Sequence, residues 1–246
     1  MAGVLHAVRS SAPSFTFNYK VTASTTNFNL KAQALAAGWD GVIPLTANVT
    51  INNGVYLGST TTSTPAFDTG TGFPAGSYLL LFNNNGNIVG AGGRGGNGGA
   101  YGTNGDNGSP GGLALRAQVP ININNLGLIA GGGGGGGGGL SVNLGVGSDW
   151  RGGGGGGGGR GYVGGDGGSG GPGNISGSSG GQGSALSPGG GGASGWNANG
   201  NGGSGGDLGA AGNPGYVAAG GQPGAAINGN SFITWTSLGT RLGAIS

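Results

Sequence analysis

Gly131-Gly132-Gly133-Gly134-Gly135-Gly136-Gly137-Gly138-Gly139 is a run of nine residues without a side chain, and eight more follow at 152–159. Around them, residues 90–224 hold 60 of the chain's 72 glycines. Mixed strings lie between the pure ones, such as Gly92-Gly93-Arg94-Gly95-Gly96-Asn97-Gly98-Gly99 and Gly164-Gly165-Asp166-Gly167-Gly168-Ser169-Gly170-Gly171. A helix is excluded, because each interior glycine costs about 1 kcal/mol relative to alanine. A side-chain core is excluded too, because glycine has nothing to bury. Ordering a residue costs about 1–2 kcal/mol, and a net hydrogen bond returns about 0.5–1.5. One run cannot order alone, so either the region is a linker or many runs order together.

Linkers are polar Gly/Ser mixtures without punctuation. Here the runs are interrupted by large side chains: Tyr101, the cluster from Leu140 to Trp150, Tyr162, Ile175, Leu186, Trp196, Leu208 and Tyr216. That pattern reads as rods joined by loops. The open conformation for a glycine rod is polyproline-II-like, with three residues per turn and a rise of about 3.1 Å, so ten residues span about 31 Å. Without Cβ atoms, neighbouring rods approach until their N–H and C=O groups pair, which satisfies the backbone. The expected fold is therefore mostly irregular and β: a β-rich segment over 1–89, a bundle of polyglycine-II rods over 90–224, and a short β segment over 225–246. That last segment is expected to pack back on the fold or on a neighbouring subunit.

Outward from the glycine, residues 1–89 carry only nine glycines. Phe15-Thr16-Phe17-Asn18-Tyr19-Lys20-Val21 alternates as a strand does. Asn29 to Ala37 is the one helix, capped by Asn29 and stopped by Gly38. A strand–turn–strand unit then recurs at 49–58, 79–90 and 121–131, and more loosely at 232–243. Asn and Gly in its turns tolerate positive φ. These units read as corners that stack on one another. Two of them open directly into glycine at Gly90 and Gly131, so the corners set the register of the rods.

Composition narrows the function. The chain has eight Lys+Arg, six Asp+Glu, one His and no Cys. Within 90–224, Arg94, Arg116, Arg151 and Arg160 balance Asp106, Asp149, Asp166 and Asp207, so phosphate neutralisation and nucleic-acid binding are not expected. No thiolate metal site or disulfide exists. The start lacks the apolar core of a secretory signal, and no apolar run is long enough to span a membrane, so no membrane insertion is expected. Phosphate loops need a lysine after their glycines, and only Lys20 and Lys31 occur. Serine in G-x-S-x-G at 167–171 or 202–206 needs a histidine base, and the sole histidine is His6. The reading is no enzyme, no metal and no cofactor.

The strings Gly90-Ala91-Gly92-Gly93-Arg94-Gly95-Gly96-Asn97-Gly98-Gly99 and Gly108-Ser109-Pro110-Gly111-Gly112-Leu113-Ala114-Leu115, then 121–129 opening into glycine, resemble a known group. So does the ending, Ala226-Ile227-Asn228-Gly229-Asn230-Ser231-Phe232-Ile233-Thr234-Trp235 with Gly239-Thr240-Arg241-Leu242-Gly243. They are similar to the receptor-recognising adhesins at the tips of long tail fibres in T-even-like bacteriophages. The resemblance covers 78–246, and the first 75 residues show no shared motif. It implies a layered sandwich of polyglycine-II helices whose variable loops bind outer-membrane proteins of the host. It also implies an N-terminal part that attaches to the tail, and a place at the distal end of a virion fibre after synthesis in the host cytoplasm.

The expected partners are a bacterial surface receptor (outer-membrane protein or surface glycan), other phage tail proteins and a homo-oligomer, with a trimer favoured. Large aromatic side chains dominate binding surfaces. The candidate receptor-binding residues are Tyr101, Asn104, Asp106, Leu140, Asn143, Leu144, Asp149, Trp150, Trp196, Asn197, Asn199 and Tyr216. The bland reading is that Trp150 and Trp196 only shield rod ends from water; for Tyr162 it is the preferred one. If each run crosses the bundle once, successive loops alternate ends. A non-adhesive tail tip component, with the rods as a stiff plug, is the alternative function. An ice-binding face needs side chains at every third position, and these interruptions are irregular. Glycine-rich surface proteins of the mycobacterial type carry a helical leader that 1–89 lacks.

Overall fold

The structure, a computed structural model, describes residues 13–145 and 149–246. His6 therefore lies outside the described residues. Within them the chain is β and irregular with one α-helix. Its strands wind as a three-faced parallel coil. The first turn is β1 (Phe15–Val21), β2 (Thr25–Thr26) and β3 (Phe28–Asn29), followed by α1 (Leu30–Ala36). The second is β4 (Leu45–Ile51), β5 (Tyr56–Gly58) and β6 (Phe67–Asp68). The third is β7 (Tyr78–Asn84), β8 (Asn87–Val89) and β9 (Leu115–Arg116). In the fourth, β10 (Ile121–Asn125) and β11 (Leu128–Ala130) are separated from the closing strand by a hairpin, β12 (Val142–Asn143) and β13 (Trp150–Arg151). Then come β14 (Ile227–Asn228) and the last turn, β15 (Ile233–Ser237) and β16 (Thr240–Leu242).

Each face is one parallel sheet. The first stacks β1-β4-β7-β10-β15, the second β2-β5-β8-β11-β16 and the third β3-β6-β9-β14. The sheets thus take strands from 1–89, from 90–224 and from 225–246. The four strand–turn–strand units of the sequence are corners between the first two faces, and β1–β2 is a fifth. Positive φ is found in two of their turns, at Gly54 (74°) and Gly239 (52°), and not at Gly86 or Gly127. Those two are glycine for another reason. A Cβ on Gly86 would lie 2.4 Å from the Val55 carbonyl oxygen, and one on Gly127 would lie 2.0 Å from that of Gly86.

Alternation buries one side of each strand and stacks like residues in columns. Leu57, Ile88 and Ile129 are in register on the second face. Phe28, Phe67, Leu115 and Ile227 are in register on the third, with the Phe28 and Phe67 rings stacked at 5.4 Å. All seven are buried, and each such side chain contributes about 1.5–3 kcal/mol. One column breaks the apolar rule. Val21 and Ile51 are followed by Asn84 and Asn125, both fully buried. Asn84 Nδ2 donates to Asn125 Oδ1 at 2.7 Å, and Asn125 Nδ2 donates to the Leu238 carbonyl at 2.7 Å, tying three turns together. Helix α1 is capped as its sequence implies: the Asn29 side chain accepts from Ala32 N–H, and Gly38 takes φ 99°.

Glycine enters where β8 and β11 end. In the second turn a short connection, 59–66, leads from β5 to β6. The equivalent connections of the next two turns, 90–114 between β8 and β9 and 131–226 between β11 and β14, hold ten laterally bonded, glycine-rich runs.

Among the described residues the ten runs are 90–99, 105–112, 131–139, 152–159, 164–171, 177–183, 189–195, 201–206, 212–215 and 220–224.

Bonds between neighbouring runs recur at every third residue. Gly93, Gly96 and Gly99 donate to Gly133, Gly136 and Gly139, each at 2.8 Å. Run 131–139 donates to runs 105–112, 152–159 and 212–215 and accepts from 90–99, 201–206 and 220–224, so it has six neighbours. Run 152–159 likewise bonds to six: 90–99, 131–139, 164–171, 177–183, 189–195 and 201–206. The other eight runs surround these two. The bonds arrange all ten in rows of three, four and three. Every residue of 131–139 and 152–159 is buried. Outer runs carry side chains at the positions that face solvent, such as Arg94 and Asn97 or Asp166 and Ser169.

Candidate functional site

Because successive runs alternate direction, their loops fall into two sets. Loops 160–163, 184–188 and 207–211 lie at the end nearer the coil. Leu208 and Tyr162 pack with Val89 and Ala130, and the Tyr162 ring lies 6.0 Å from that of Tyr56. Arg160 donates to Asp207 at 2.8 Å and to the Ala185 carbonyl at 3.1 Å, joining the three loops. The Leu208 N–H, then the Arg160 guanidinium, hold the Asp207 carboxyl below the usual carboxylate range.

The far end is formed by loops 100–104, 140–151, 172–176, 196–200 and 216–219. The hairpin β12–β13 is its hub, with Val142 opposite Arg151 and Asn143 opposite Trp150. Tyr101 meets the Trp150 ring edge-on at 6.4 Å. Tyr101 (φ 44°) and Gly102 (φ 82°) turn the chain tightly enough that a Cβ on Gly102 would lie 2.5 Å from the Trp150 ring. Ser141 Oγ accepts from Gly102 N–H at 3.1 Å, and Ser141 N–H donates to the Thr103 carbonyl at 3.2 Å. On another side, Asn174 N–H donates to the Trp150 carbonyl at 2.7 Å. On a third, Trp196 Nε1 donates to the Leu140 carbonyl at 3.4 Å.

All twelve residues singled out in the sequence lie at or beside this end. Tyr101, Leu144 and Tyr216 are exposed, at 59%, 53% and 60%. Asn104, Asn143, Asn197 and Asn199 are exposed as well, whereas Leu140, Trp150 and Trp196 are half-buried. Asp149 is neutralised by Arg151, which donates to both its oxygens at 3.0 and 2.9 Å. Asp106 sits one step along its run and accepts from Asn97 Nδ2 at 2.9 Å. The sequence reading did not select Asn174, Ile175 or Val217. Ile175 and Val217 are half exposed here, and both stand as apolar residues between glycine runs, which is the signal that marks them.

Among the described residues no group of three or more His, Cys, Asp or Glu is placed to hold a metal ion. No helix among them is long and apolar enough to cross a membrane. The far end is a surface of aromatic, aliphatic and amide side chains on a backbone lattice, with the Asp149–Arg151 pair at its hub.

Residues 16–246 match the family model described as phage tail fibre adhesin Gp38. The match includes residues 16–75, where the sequence showed no shared motif. Among solved structures, the chain is similar to one in the crystal structure of the gp37–gp38 adhesin tip complex of the bacteriophage S16 long tail fibre. The identity is 30% and the TM-score 0.63, over 94% of this chain and 82% of that one. No curated protein matches. The chain belongs to the phage tail fibre adhesin Gp38 family, and is a virion adhesin at the distal end of a tail fibre that recognises the host receptor.

Proposed function

We propose that the five far-end loops carry receptor recognition. Tyr101, Leu144 and Tyr216 supply apolar contact, and Asn104, Asn143, Asn197 and Asn199 supply hydrogen bonds. Trp150 and Trp196 hold the loops together and present an edge, while Leu140, Asp106 and Asp149 fix the loop bases. The receptor is an outer-membrane protein or surface glycan of the host. The observation that carries this reading is that the large side chains interrupting the glycine runs, among them the exposed Tyr101, Leu144 and Tyr216, come together with exposed amides at the end opposite the coil.

We read the glycine runs as polyglycine-II helices; bonding at every third residue and six neighbours around a side-chain-free run support it. In this division the parallel coil, drawn mainly from 1–89 with 225–246, attaches to the tail, and 90–224 presents the loops. The bacteriophage S16 relative was solved with gp37. A gp37-type fibre protein binding the coil is the partner this reading names. A homotrimer of this chain would place its contacts on the coil as well, leaving the loops free, and light scattering of the purified chain gives its copy number.

The test is competition for host cells. Purified chain should block phage adsorption, and a Tyr101→Ala/Leu144→Ala/Tyr216→Ala variant with an unchanged melting curve should not. Equal blocking by the folded variant would remove these loops from recognition.

A further inference from the structure

Away from the loops, three clefts adjoin along the corner between the third and first faces. Their walls are the connections 68–79 and 116–122. The largest, about 470 Å³, is lined by Asn29, Lys31, Asp68, Thr71, Arg116 and Gln118. The next, about 200 Å³, is lined by Phe73, Pro74, Leu79, Val119 and Pro120. It shares Ser77, Leu79 and Pro120 with a third of about 180 Å³. Lys31 Nζ lies 5.9 Å from the Phe73 ring centroid, and Gln118 precedes Val119, so the polar cleft leads into the apolar one.

The polar end has donors left over. Asp68 Oδ1 accepts from Gly70 N–H at 3.0 Å and Gln118 at 2.7 Å, and Oδ2 accepts from Arg116 at 2.6 Å and Asn29 at 3.4 Å. Four acceptor positions of the carboxylate are thereby filled. Lys31 Nζ donates to the Thr71 and Gly72 carbonyls at 2.8 and 3.2 Å, leaving a third proton. Arg116 Nε is buried without a partner. Two cations face one carboxylate, which leaves one unit of positive charge. A single carboxylate balances it, and a phosphate dianion overshoots it. An apolar cleft directly beside a monoanion site fits a peptide.

We propose that this groove docks an extended segment of the tail-fibre partner, with an Asp or Glu carboxylate beside Lys31 and Arg116 and an apolar side chain between Phe73 and Pro120. The proposal rests on the reading of the coil as the part that attaches to the tail.

The experiment measures co-assembly of the full chain with the gp37-type fibre protein of the same phage. Lys31→Glu places a like charge beside the incoming carboxylate and should weaken assembly by about tenfold or more, while Lys31→Arg stays close to wild type. Melting curves confirm that both variants fold. A folded Lys31→Glu chain that assembles as well as wild type overturns the docking site and leaves the receptor loops untouched. A wild-type chain that does not assemble overturns the attachment reading and the proposal with it. As a chemical probe, acetate should shift the Gln118 side-chain amide resonance saturably, more tightly than chloride. Tighter binding of inorganic phosphate than of acetate overturns the carboxylate assignment.

Discussion

Gly136→Ala should unfold much of the bundle, although it adds one methyl group. Gly136 lies mid-way along the central run. Its Cβ would fall 2.0 Å from the Gly203 carbonyl oxygen and 2.7 Å from that of Ser204. Real Cβ contacts essentially never fall below 3.0 Å, so run 201–206 would have to retreat by about 1 Å. That retreat breaks the 2.8 Å bond from Gly203 N–H to the Gly137 carbonyl, and strains the 2.7 Å bond from Gly136 N–H to Gly157. Each buried backbone group left unpaired costs about 1–3 kcal/mol, so two to three such groups amount to about 3–6 kcal/mol. A domain is stable by only about 5–15 kcal/mol. The control is Gly190→Ala, at an exposed position with nothing within 4 Å of the new Cβ. There alanine restricts the unfolded chain and should stabilise by about 0.4–1 kcal/mol. Urea unfolding followed by circular dichroism compares the two midpoints. If Gly136→Ala lies within about 1 kcal/mol of wild type, close backbone contact does not explain the glycine.

Three further outcomes are expected. Asn125→Leu removes the acceptor for Asn84 and should cost about 1–3 kcal/mol, whereas Asn84→Leu/Asn125→Leu should cost less than the sum of the single changes; a double-mutant cycle by urea unfolding reads the coupling. Burial raises the Asp68 carboxyl, but Arg116, the Gly70 N–H and Gln118 outweigh it and hold it below its ordinary 3.8. A lowered folded value means that this stability is present above about pH 4 and is lost as pH falls through the folded value, so urea midpoints should drop below pH 4 and drop less in Asp68→Asn. Trp150→Ala should lower the melting temperature, because its ring fills the space against Gly102 and Tyr101, while Tyr216→Ala should leave it within a degree or two.

The sequence shows three corners plainly and a fourth, at 232–243, more loosely, because each joins an alternating strand to a Gly- or Asn-containing turn. The first corner is less visible: Thr22-Ala23-Ser24 between β1 and β2 has no such residue. The third face is nearly silent. Its strands are the dipeptides Phe28-Asn29, Phe67-Asp68, Leu115-Arg116 and Ile227-Asn228, too short for any periodicity to register. Glycine content reports position in the lattice: the two pure runs are the two with six neighbours, and mixed runs lie outside. The receptor-loop candidates were legible as the large side chains that interrupt the glycine. Which end they share was not, because a run's length is soft in sequence and its direction depends on counting every turn.

If the far-end loops carry recognition, as proposed, the lattice gives a physical reason for placing it there. In a side-chain core, one methylene gained or lost is felt by the whole packing. Runs 131–139 and 152–159 contribute no side chain to their surroundings, so their positions are fixed by backbone bonds alone. A loop such as 196–200 can change its residues without opening a cavity between the runs or creating a clash there. The interior is the opposite and tolerates no side chain: nearly every position has a carbonyl oxygen about 2 Å from where a Cβ would stand. Constraint is thus concentrated in the runs and freedom in the loops, which is the distribution that a binding surface under changing demands requires.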